Sequence, residues 1–259
     1  MLSAIRTTVK NAFETNLPRT ALHLRVLRYI HWRPHETELA LVAALVQPGT
    51  DAADVGANTG LFAWQIARFA RQCYCFEPHP HLASYLKRAL PANCRVIGAG
   101  VSDAPGTAEL QVPWVGGRYN ESLASLDRNN TAQFTRVDRR QVDLVTLDDT
   151  ITTSISFLNI DVEGHELAVL KGALNLLKAQ RPAVLVEIEQ RHNPQSFGLV
   201  TALFGELGYE GFFYRDRSLK PVAAFDPMRD QDVTRVGTPA YINNFLFLHR
   251  DAARPALPA

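Results

Sequence analysis

A glycine-containing turn after an apolar strand is the feature that most constrains the fold of this chain. Residues 54–60 read Asp-Val-Gly-Ala-Asn-Thr-Gly, and Glu77 stands 21 positions beyond Gly56. One helix-length apolar pattern separates the two segments. This spacing is typical of a nucleoside site, where a glycine turn follows one strand and a carboxylate at the end of the next strand binds ribose hydroxyls. The pattern predicts a cofactor pocket in a parallel α/β fold.

The residues of this turn also indicate which cofactor the pocket can bind. A dinucleotide fingerprint requires Gly-x-Gly-x-x-Gly, and its second glycine lets the pyrophosphate approach the backbone. Here Asn58 occupies the second glycine position and Leu61 the third, so that Gly56 and Gly60 remain to form a tight turn. The features that cradle phosphates are missing, which weakens a dinucleotide but leaves it open as an alternative.

Three carboxylates are expected near this sheet edge, those of Asp54, Glu77 and Asp103. A rim of negative charge repels a pyrophosphate and favours a cofactor that carries hydroxyls, an amino group and a positive charge. S-adenosylmethionine has all three, in its ribose, its adenine amine and its sulfonium. We therefore expect S-adenosylmethionine as the cofactor.

The composition is that of an ordinary globular protein, since 46% of the 259 residues are hydrophobic and 20% are charged. The formal net charge is +1, and Asp138 interrupts the basic cluster of Arg136, Arg139 and Arg140. We interpret the cluster as a solvated face and expect no nucleic-acid partner. The longest apolar run, residues 39–46, is far short of the roughly 20 residues of a membrane span, so we expect no transmembrane segment.

The N-terminal segment and the cysteines give indications of the cellular compartment. Apolar side chains fall near helical spacing over residues 2–13, which predicts a helix that covers the main domain. A peripheral membrane helix and a transit-like segment are the alternatives. Cys73, Cys75 and Cys94 are odd in number and lack the spacing of zinc ligands. We expect the first two to be buried together in a strand, and a reducing, cytoplasmic compartment.

From the glycine turn onward, short apolar runs alternate with helix-period stretches, as in a mostly parallel α/β sheet. Strands are predicted at residues 51–55, 74–76, 95–101, 142–147, 156–160, 183–188, 212–214 and 244–248, the last two as an antiparallel pair. A single helix is predicted over residues 167–177, whereas residues 113–140 show little periodicity, which favours a lid or an insertion. We divide the chain into an N-terminal helical extension (1–35), a main domain (36–250) and a loose C-terminal tail (251–259).

Ionisable side chains are expected at the carboxyl ends of the predicted strands, where ligands bind in an open α/β sheet. The densest group lies in the segment Asn-Ile-Asp-Val-Glu-Gly-His-Glu that ends at Glu166. Its members Asp161, Glu163 and His165 are the predicted catalytic residues. We expect Asp161 to contact the cofactor or the substrate, and Asp161 or His165 to act as the general base.

Other interpretations of this group stay open. Glu163 and Glu166 could cap the following helix, because its dipole stabilises carboxylates near the N-terminus. The group could also bind a metal, but the segment crosses from a strand into a helix and we predict none. His192 is a further candidate base, whereas His79 and His81 flank a proline and are expected to face solvent.

Five segments of the chain occur in an informative order. They are Asp54-Val-Gly-Ala-Asn-Thr-Gly, Phe76-Glu-Pro-His-Pro80, Asn159-Ile-Asp-Val-Glu-Gly-His-Glu166, Val169-Leu-Lys-Gly-Ala173 and Val186-Glu-Ile188. Together they resemble the FkbM family of S-adenosylmethionine-dependent methyltransferases, over residues 36–250. The resemblance implies a Rossmann-like class I methyltransferase fold, with a mostly parallel seven-stranded sheet whose last strand is antiparallel, flanked by helices.

The resemblance also implies where the cofactor lies. The predicted cofactor-binding residues are Asp54, Gly56, Asn58, Gly60, Glu77, Ser102 and Asp103. The methionine and the sulfonium are implied to lie at the glycine turn, the ribose on Glu77, and the adenine near Ser102 and Asp103. Similar members methylate hydroxyls of sugars and secondary metabolites, so the implied activity is that of an O-methyltransferase with a small-molecule or glycan acceptor.

One position departs from the family pattern, and two other functions stay open. The family commonly has lysine where this chain has Asn159, which bears on the choice of acceptor. The alternatives are a nicotinamide-dependent oxidoreductase with a variant glycine loop and a non-catalytic nucleoside-binding module. Binding of NADH would indicate the first, and cofactor binding without turnover the second.

Overall fold

The computed structural model describes residues 16–32, 38–191, 193, 195–216, 218–252 and 254–255. The helical pattern of residues 2–13, the candidate base His192 and most of the C-terminal tail lie outside the described residues. Within the described ranges, no helix combines the length and the apolar content that crossing a membrane requires.

The strands and helices of these ranges alternate along the chain, as the apolar pattern predicts. The strands are β1 (Asp51–Val55), β2 (Cys73–Phe76), β3 (Cys94–Ile97), β4 (Gly100–Val101), β5 (Gly106–Val115), β6 (Arg118–Tyr119), β7 (Val137–Val145), β8 (Ile155–Ile160), β9 (Ala183–Glu187), β10 (Tyr209–Arg215), β11 (Ser218–Pro221) and β12 (Asn244–His249). The α-helices are α1 (Pro18–Trp32), α2 (Glu38–Leu45), α3 (Leu61–Ala67), α4 (Pro80–Ala89), α5 (Leu147–Thr150), α6 (Glu166–Lys171), α7 (Leu174–Gln180), α8 (Ser196–Glu206) and α9 (Pro227–Asp230).

The main sheet has the strand order β11-β10-β12-β9-β8-β1-β2-β3. Neighbouring strands from β9 to β3 are parallel, and β12 runs antiparallel between β9 and β10. The α/β, Rossmann-like fold with an antiparallel last strand is therefore confirmed. The sheet has eight strands rather than seven, because β11 pairs with β10 as an additional hairpin strand at the edge.

Helices cover both faces of this sheet. On one face α7 and α8 bury Leu177 and Phe204, and on the other α1 buries Leu22 beside α3 and α4. Successive strand side chains point to opposite faces, so that Phe157 and Leu158 enter different cores. Each such buried side chain stabilises the fold by about 1.5–3 kcal/mol. Helix α1 therefore packs on the main domain as one of its layers.

Residues 106–145 form a second, smaller sheet instead of an irregular loop. Strands β5 and β7 pair antiparallel from Gly106 opposite Leu144 to Pro113 opposite Val137. Strand β6 extends β5, and β4 pairs with β7 in parallel. The region of little periodicity is the end of this hairpin and the connection between its strands, which includes 3-10 helices at Glu121–Leu123 and Arg128–Thr131.

Two predicted elements divide where they meet this second sheet. The predicted strand 95–101 becomes β3 and β4, because β4 leaves the main sheet to pair with β7. The predicted helix 167–177 becomes α6 and α7, separated at Gly172. A Cβ atom on Gly172 would lie 2.0 Å from the carbonyl oxygen of Ser102, so tertiary packing brings the backbone too close there for any other residue.

Candidate active site

The glycine turn after β1 holds the backbone in conformations that favour glycine. Gly56, Asn58 and Gly60 all have positive φ, at 84°, 47° and 86°. The amides of Gly56 and Ala57 both donate to the carbonyl oxygen of Phe76, which joins the turn to the end of β2. A Cβ atom on Gly56 would lie 1.7 Å from the carbonyl oxygen of Asp161, so this position admits only glycine.

Glu77 follows β2 and is held by two backbone amides. Its Oε2 accepts from the amide of Asn58 at 2.8 Å, and its Oε1 accepts from the amide of His79 at 2.8 Å. The side chain is buried, and burial raises the pKa of Glu77 to about 7. The carboxyl group is therefore fixed at the turn, as its predicted role in binding ribose requires.

Asp54, at the end of β1, is buried with one oxygen unsatisfied. Asn159 of β8 donates its Nδ2 to Asp54 Oδ1 at 2.9 Å, whereas Oδ2 has no hydrogen-bond partner among the described residues. Burial raises the pKa of Asp54 to about 7. Asn159 is an uncharged partner and thus binds Asp54 without neutralising it.

Asp161 follows β8 and lies half-buried beside other acids. Its amide donates to the carbonyl oxygen of Val55 at 2.9 Å, which keeps it at the end of β1. Burial, followed by the negative charges of Glu187, Glu163 and Asp54, raises the pKa of Asp161 well above its ordinary value. A cationic ligand between these carboxyls would relieve their repulsion.

Two cavities meet at this sheet edge. The hairpin-side cavity is lined by the ends of β1 and β2 and by Leu110, Glu121, Ala124 and Leu126 of the second sheet and its connection. The terminal-side cavity is lined by Tyr29 of α1, by the ends of β8 and β9, and by residues 236–244. Gly56, Asn58 and Asp161 line both cavities. The terminal-side cavity encloses about 370 Å³, within the range of small-molecule sites.

Most of the predicted site residues come together in this cleft, and four lie outside it. The lining residues include Asp54, Gly56, Asn58, Glu77, Asp161 and Glu163. Gly60 packs instead against Leu86 of α4. His165 Nε2 lies 3.0 Å from Ser102 Oγ, which in turn donates to Asp103 Oδ1 at 3.2 Å. These three form a cluster that lines neither cavity, and burial lowers the pKa of His165.

The loop after Asp161 is tied to the second sheet. Ser125 Oγ donates to the carbonyl oxygen of Glu163 at 2.8 Å, and Asn130 Nδ2 donates to the same oxygen. Glu166 is buried and accepts from the amide of Gly164 at 2.6 Å and from Ser196 Oγ at 3.0 Å. Glu166 therefore satisfies backbone and side-chain donors at the start of α6, in agreement with its interpretation as a structural carboxylate.

The expectation that His79 faces solvent is wrong, whereas His81 is exposed as expected. His79 is 1% exposed, and its Nε2 lies 2.8 Å from the phenol oxygen of Tyr119. The second sheet folds over the start of α4 and covers His79, a tertiary contact that the local turn pattern does not report.

Several lining residues had no sequence signal near the motifs. Tyr29 reaches the cleft from α1, Tyr241 and Asn243 come from the segment before β12, and Asn244 is the first residue of β12. Of these four residues, only Asn243 and Asn244 could have been assigned to the cleft from the sequence. Because β12 is antiparallel, its first residues lie at the same sheet edge as the carboxyl ends of the parallel strands.

The strand order and the glycine turn define a Rossmann-like, class I methyltransferase fold. Residues 54–210 match the family model described as the methyltransferase FkbM domain, and the chain belongs to this family. The family implies S-adenosylmethionine as the methyl donor. A search of the sequence against curated proteins gives no match.

Solved structures with similar folds include other methyltransferases. The FkbM methyltransferase of Methylobacillus flagellatus KT is 15% identical, with a TM-score of 0.49, over 77% of this chain and 43% of that one. An rRNA methylase of Streptococcus thermophilus is 10% identical, with a TM-score of 0.46, over 85% and 97% of the two chains. A putative methyltransferase of Streptococcus mutans, solved in complex with SAH, is 8% identical, with a TM-score of 0.41, over 84% and 98%. This chain thus spans less than half the length of the Methylobacillus protein.

Proposed function

We propose that this protein transfers a methyl group from S-adenosylmethionine to a hydroxyl of a sugar, a glycoconjugate or a secondary metabolite. The observation that carries the proposal is the junction of the two cavities at Gly56, Asn58 and Asp161. A donor in one cavity and an acceptor in the other would meet at this junction. Such positioning is worth roughly 7–11 kcal/mol in favourable cases.

The residues around the glycine turn fit the cofactor. The carboxyl oxygens of Glu77 keep lone pairs for ribose hydroxyls after they accept from two backbone amides. Asp54 lines the terminal-side cavity beside the junction, and its unsatisfied Oδ2 offers an acceptor to the ammonium group of a cofactor that extends across the junction. Bound here, the cofactor supplies an electrophilic methyl group on a positively charged sulfur.

The charge of the cleft favours this cofactor over a dinucleotide. The negative charge of Asp54 acts on both Glu77 and Asp161, so that a cation beside these carboxyls is stabilised whereas a pyrophosphate is not. Together with the family match, this favours a methyltransferase over the nicotinamide-dependent oxidoreductase.

The terminal-side cavity suits a polyhydroxylated acceptor. Glu187, Asn243 and Asn244 offer hydrogen-bonding groups, and Tyr29 and Tyr241 offer aromatic surface. No lysine or arginine is among the described residues that line it, which disfavours phosphorylated acceptors and nucleic acid. Carboxylates, amides and aromatic rings together can bind the hydroxyls and the apolar face of a sugar.

Asp161 is the best placed of the three predicted catalytic residues. It lines both cavities, whereas Glu163 lines only the hairpin-side cavity and His165 lines neither. Its raised pKa makes it a stronger base than an ordinary carboxylate. We assign to Asp161 the removal of the acceptor hydroxyl proton.

A binding titration and a turnover assay test the proposal. Calorimetry with S-adenosylhomocysteine measures cofactor binding, and transfer of a radiolabelled methyl group is followed across sugars, glycoconjugates and hydroxylated metabolites. Binding together with transfer to a hydroxyl is expected. Binding without transfer across a broad panel would favour the nucleoside-binding module, and binding of NADH instead of S-adenosylhomocysteine would contradict the proposal.

A further inference from the structure

Three metal-ligating side chains lie together beside the hairpin-side cavity. His79 and His81 stand at the start of α4, and Glu121 begins a 3-10 helix in the hairpin connection. Each residue offers one ligand atom, and these three atoms all lie within 4.8 Å of one another. The proposed transfer of methyl groups does not use this cluster.

The distances suit a small cation. His81 Nδ1 lies 3.1 Å from Glu121 Oε1, and His79 Nδ1 lies 3.9 Å from the same oxygen. In a tetrahedral zinc site with bonds of about 2.0–2.1 Å, ligand atoms are about 3.3 Å apart. Small side-chain rotations would therefore bring the three atoms to coordination distance.

The buried Nδ1 atom of His79 faces this cluster. His79 is 1% exposed, and its Nδ1 has no hydrogen-bond partner among the described residues. Leaving such a buried atom unpaired is destabilising. When Nε2 donates to the phenol oxygen of Tyr119, 2.8 Å away, Nδ1 presents its lone pair. The phenol then orients the imidazole, as outer-shell partners of metal-binding histidines do.

The chemistry of the donors selects the class of ion. Two imidazoles and one carboxylate are donors that zinc commonly takes, and three protein ligands leave one position open. The His81 side chain is 75% exposed, so that the cluster is open to solvent.

We propose that His79, His81 and Glu121 bind a divalent transition-metal cation, with Zn²⁺ as the best fit. Because Glu121 also lines the hairpin-side cavity, the cation would fasten the hairpin connection to the start of α4 at the wall of that cavity. The metal site does not rest on the proposed methyl transfer, because metal binding can be measured without cofactor.

The test uses the full-length, untagged protein, freed of metal by a chelator. Zn²⁺ binding is measured by calorimetry, and Co²⁺ binding by visible absorption. One equivalent is expected to bind, and the Co²⁺ complex is expected to show the ligand-field spectrum of a four-coordinate ion. Circular dichroism checks that each variant folds, and His81 and Glu121 are chosen because neither is buried.

The variants separate this site from other ligands. His81→Ala and Glu121→Gln should each weaken Zn²⁺ binding more than about 100-fold, and Tyr119→Phe about 10- to 100-fold. His23→Ala, at an exposed position of α1, is the matched control and should change nothing. Absence of saturable binding, or equal affinity in folded His81→Ala, Glu121→Gln and His23→Ala, would overturn the site.

A second measurement tests the link to the cavity. The affinity for S-adenosylhomocysteine should rise when Zn²⁺ is present, and this gain should disappear in His81→Ala. An affinity that Zn²⁺ leaves unchanged would overturn the proposed fastening of the cavity wall, and the metal titration alone would then stand.

Discussion

The two cavities of the cleft are built from different parts of the chain. The hairpin-side cavity is lined by residues 55–163, all within the matched residues 54–210. The terminal-side cavity also takes Tyr29 and residues 236–244, which lie beyond that range. The family match thus covers the whole hairpin-side cavity, the proposed cofactor half of the cleft, whereas the terminal-side cavity, the proposed acceptor half, includes segments that the match does not cover.

The largest effect is expected at the junction of the two halves. Asp161→Asn should lower kcat roughly 10²- to 10⁴-fold, because the acceptor hydroxyl loses its base. The affinity for S-adenosylhomocysteine should change far less. Asp143→Asn, at an exposed position of β7, is the control. Full turnover by Asp161→Asn would show that Asp161 is not the general base. A large fall in kcat in His165→Ala would then assign the general base to His165.

The second prediction concerns stability and the acid at the end of β1. Asp54 has a pKa raised from 3.8 to about 7 in the folded protein. The folded state then holds a proton that the unfolded chain releases, so that the free energy of unfolding falls as pH rises from about 4 to about 7. Asp54→Asn removes this pH-dependent fall in the free energy of unfolding, because the amide does not titrate. Its side-chain oxygen can still accept the hydrogen bond from Asn159. In urea denaturation, the free energy of unfolding of the variant should rise relative to that of wild type by up to roughly 4 kcal/mol between these two pH values. A difference between the two proteins that does not change with pH would contradict the raised pKa.

The third prediction separates the two halves by ligand. In Glu77→Gln, an amide replaces a carboxylate that accepts two backbone hydrogen bonds. The free energy of S-adenosylhomocysteine binding should weaken by about 1.5–3 kcal/mol, which lowers the affinity roughly 10- to 100-fold. Calorimetry checks this, with Glu206→Gln at an exposed position of α8 as the control. An unchanged affinity would argue against ribose binding by Glu77.

The smallest effect is expected in the acceptor half. Tyr29→Ala should raise the KM for the acceptor about fivefold, which corresponds to burial of roughly 40 Å² of apolar surface. The affinity for S-adenosylhomocysteine should stay the same. Leu24→Ala, at an exposed position of the same helix, controls for helix stability. If the variant instead lost affinity for S-adenosylhomocysteine, Tyr29 would belong to the cofactor site and its assignment to the acceptor would be wrong.

The geometry of the proposed cofactor half could be predicted because it is set by residues that are close in sequence. The turn at Gly56 needs positive φ and close approach to Asp161, and glycine is the residue that allows both. Glu77 follows one helix later, at the end of the neighbouring strand. Local conformation and strand order therefore determine this wall of the cleft.

The acceptor half could not be predicted in the same way. Tyr29 enters the cleft only after α1 packs on α3 and α4, and Tyr241 only after β12 inserts between β9 and β10. The burial of His79 likewise depends on a hairpin 40 residues away in sequence. These contacts come from tertiary packing, and no short-range pattern specifies them.

The narrow base of the hairpin has a consequence for how such a protein can diversify. Leu144 pairs with Gly100 on one side and with Gly106 on the other, so that the chain leaves and rejoins the main domain on adjacent strands. Neighbouring strands lie about 5 Å apart, and a segment whose ends are so close can change in length or sequence without altering the strands around it. We therefore expect that residues 106–143, which lie over the cleft, can be exchanged as a unit. Evolution or design could replace it, Glu121 included, while the glycine turn and the order of the main sheet stay as they are.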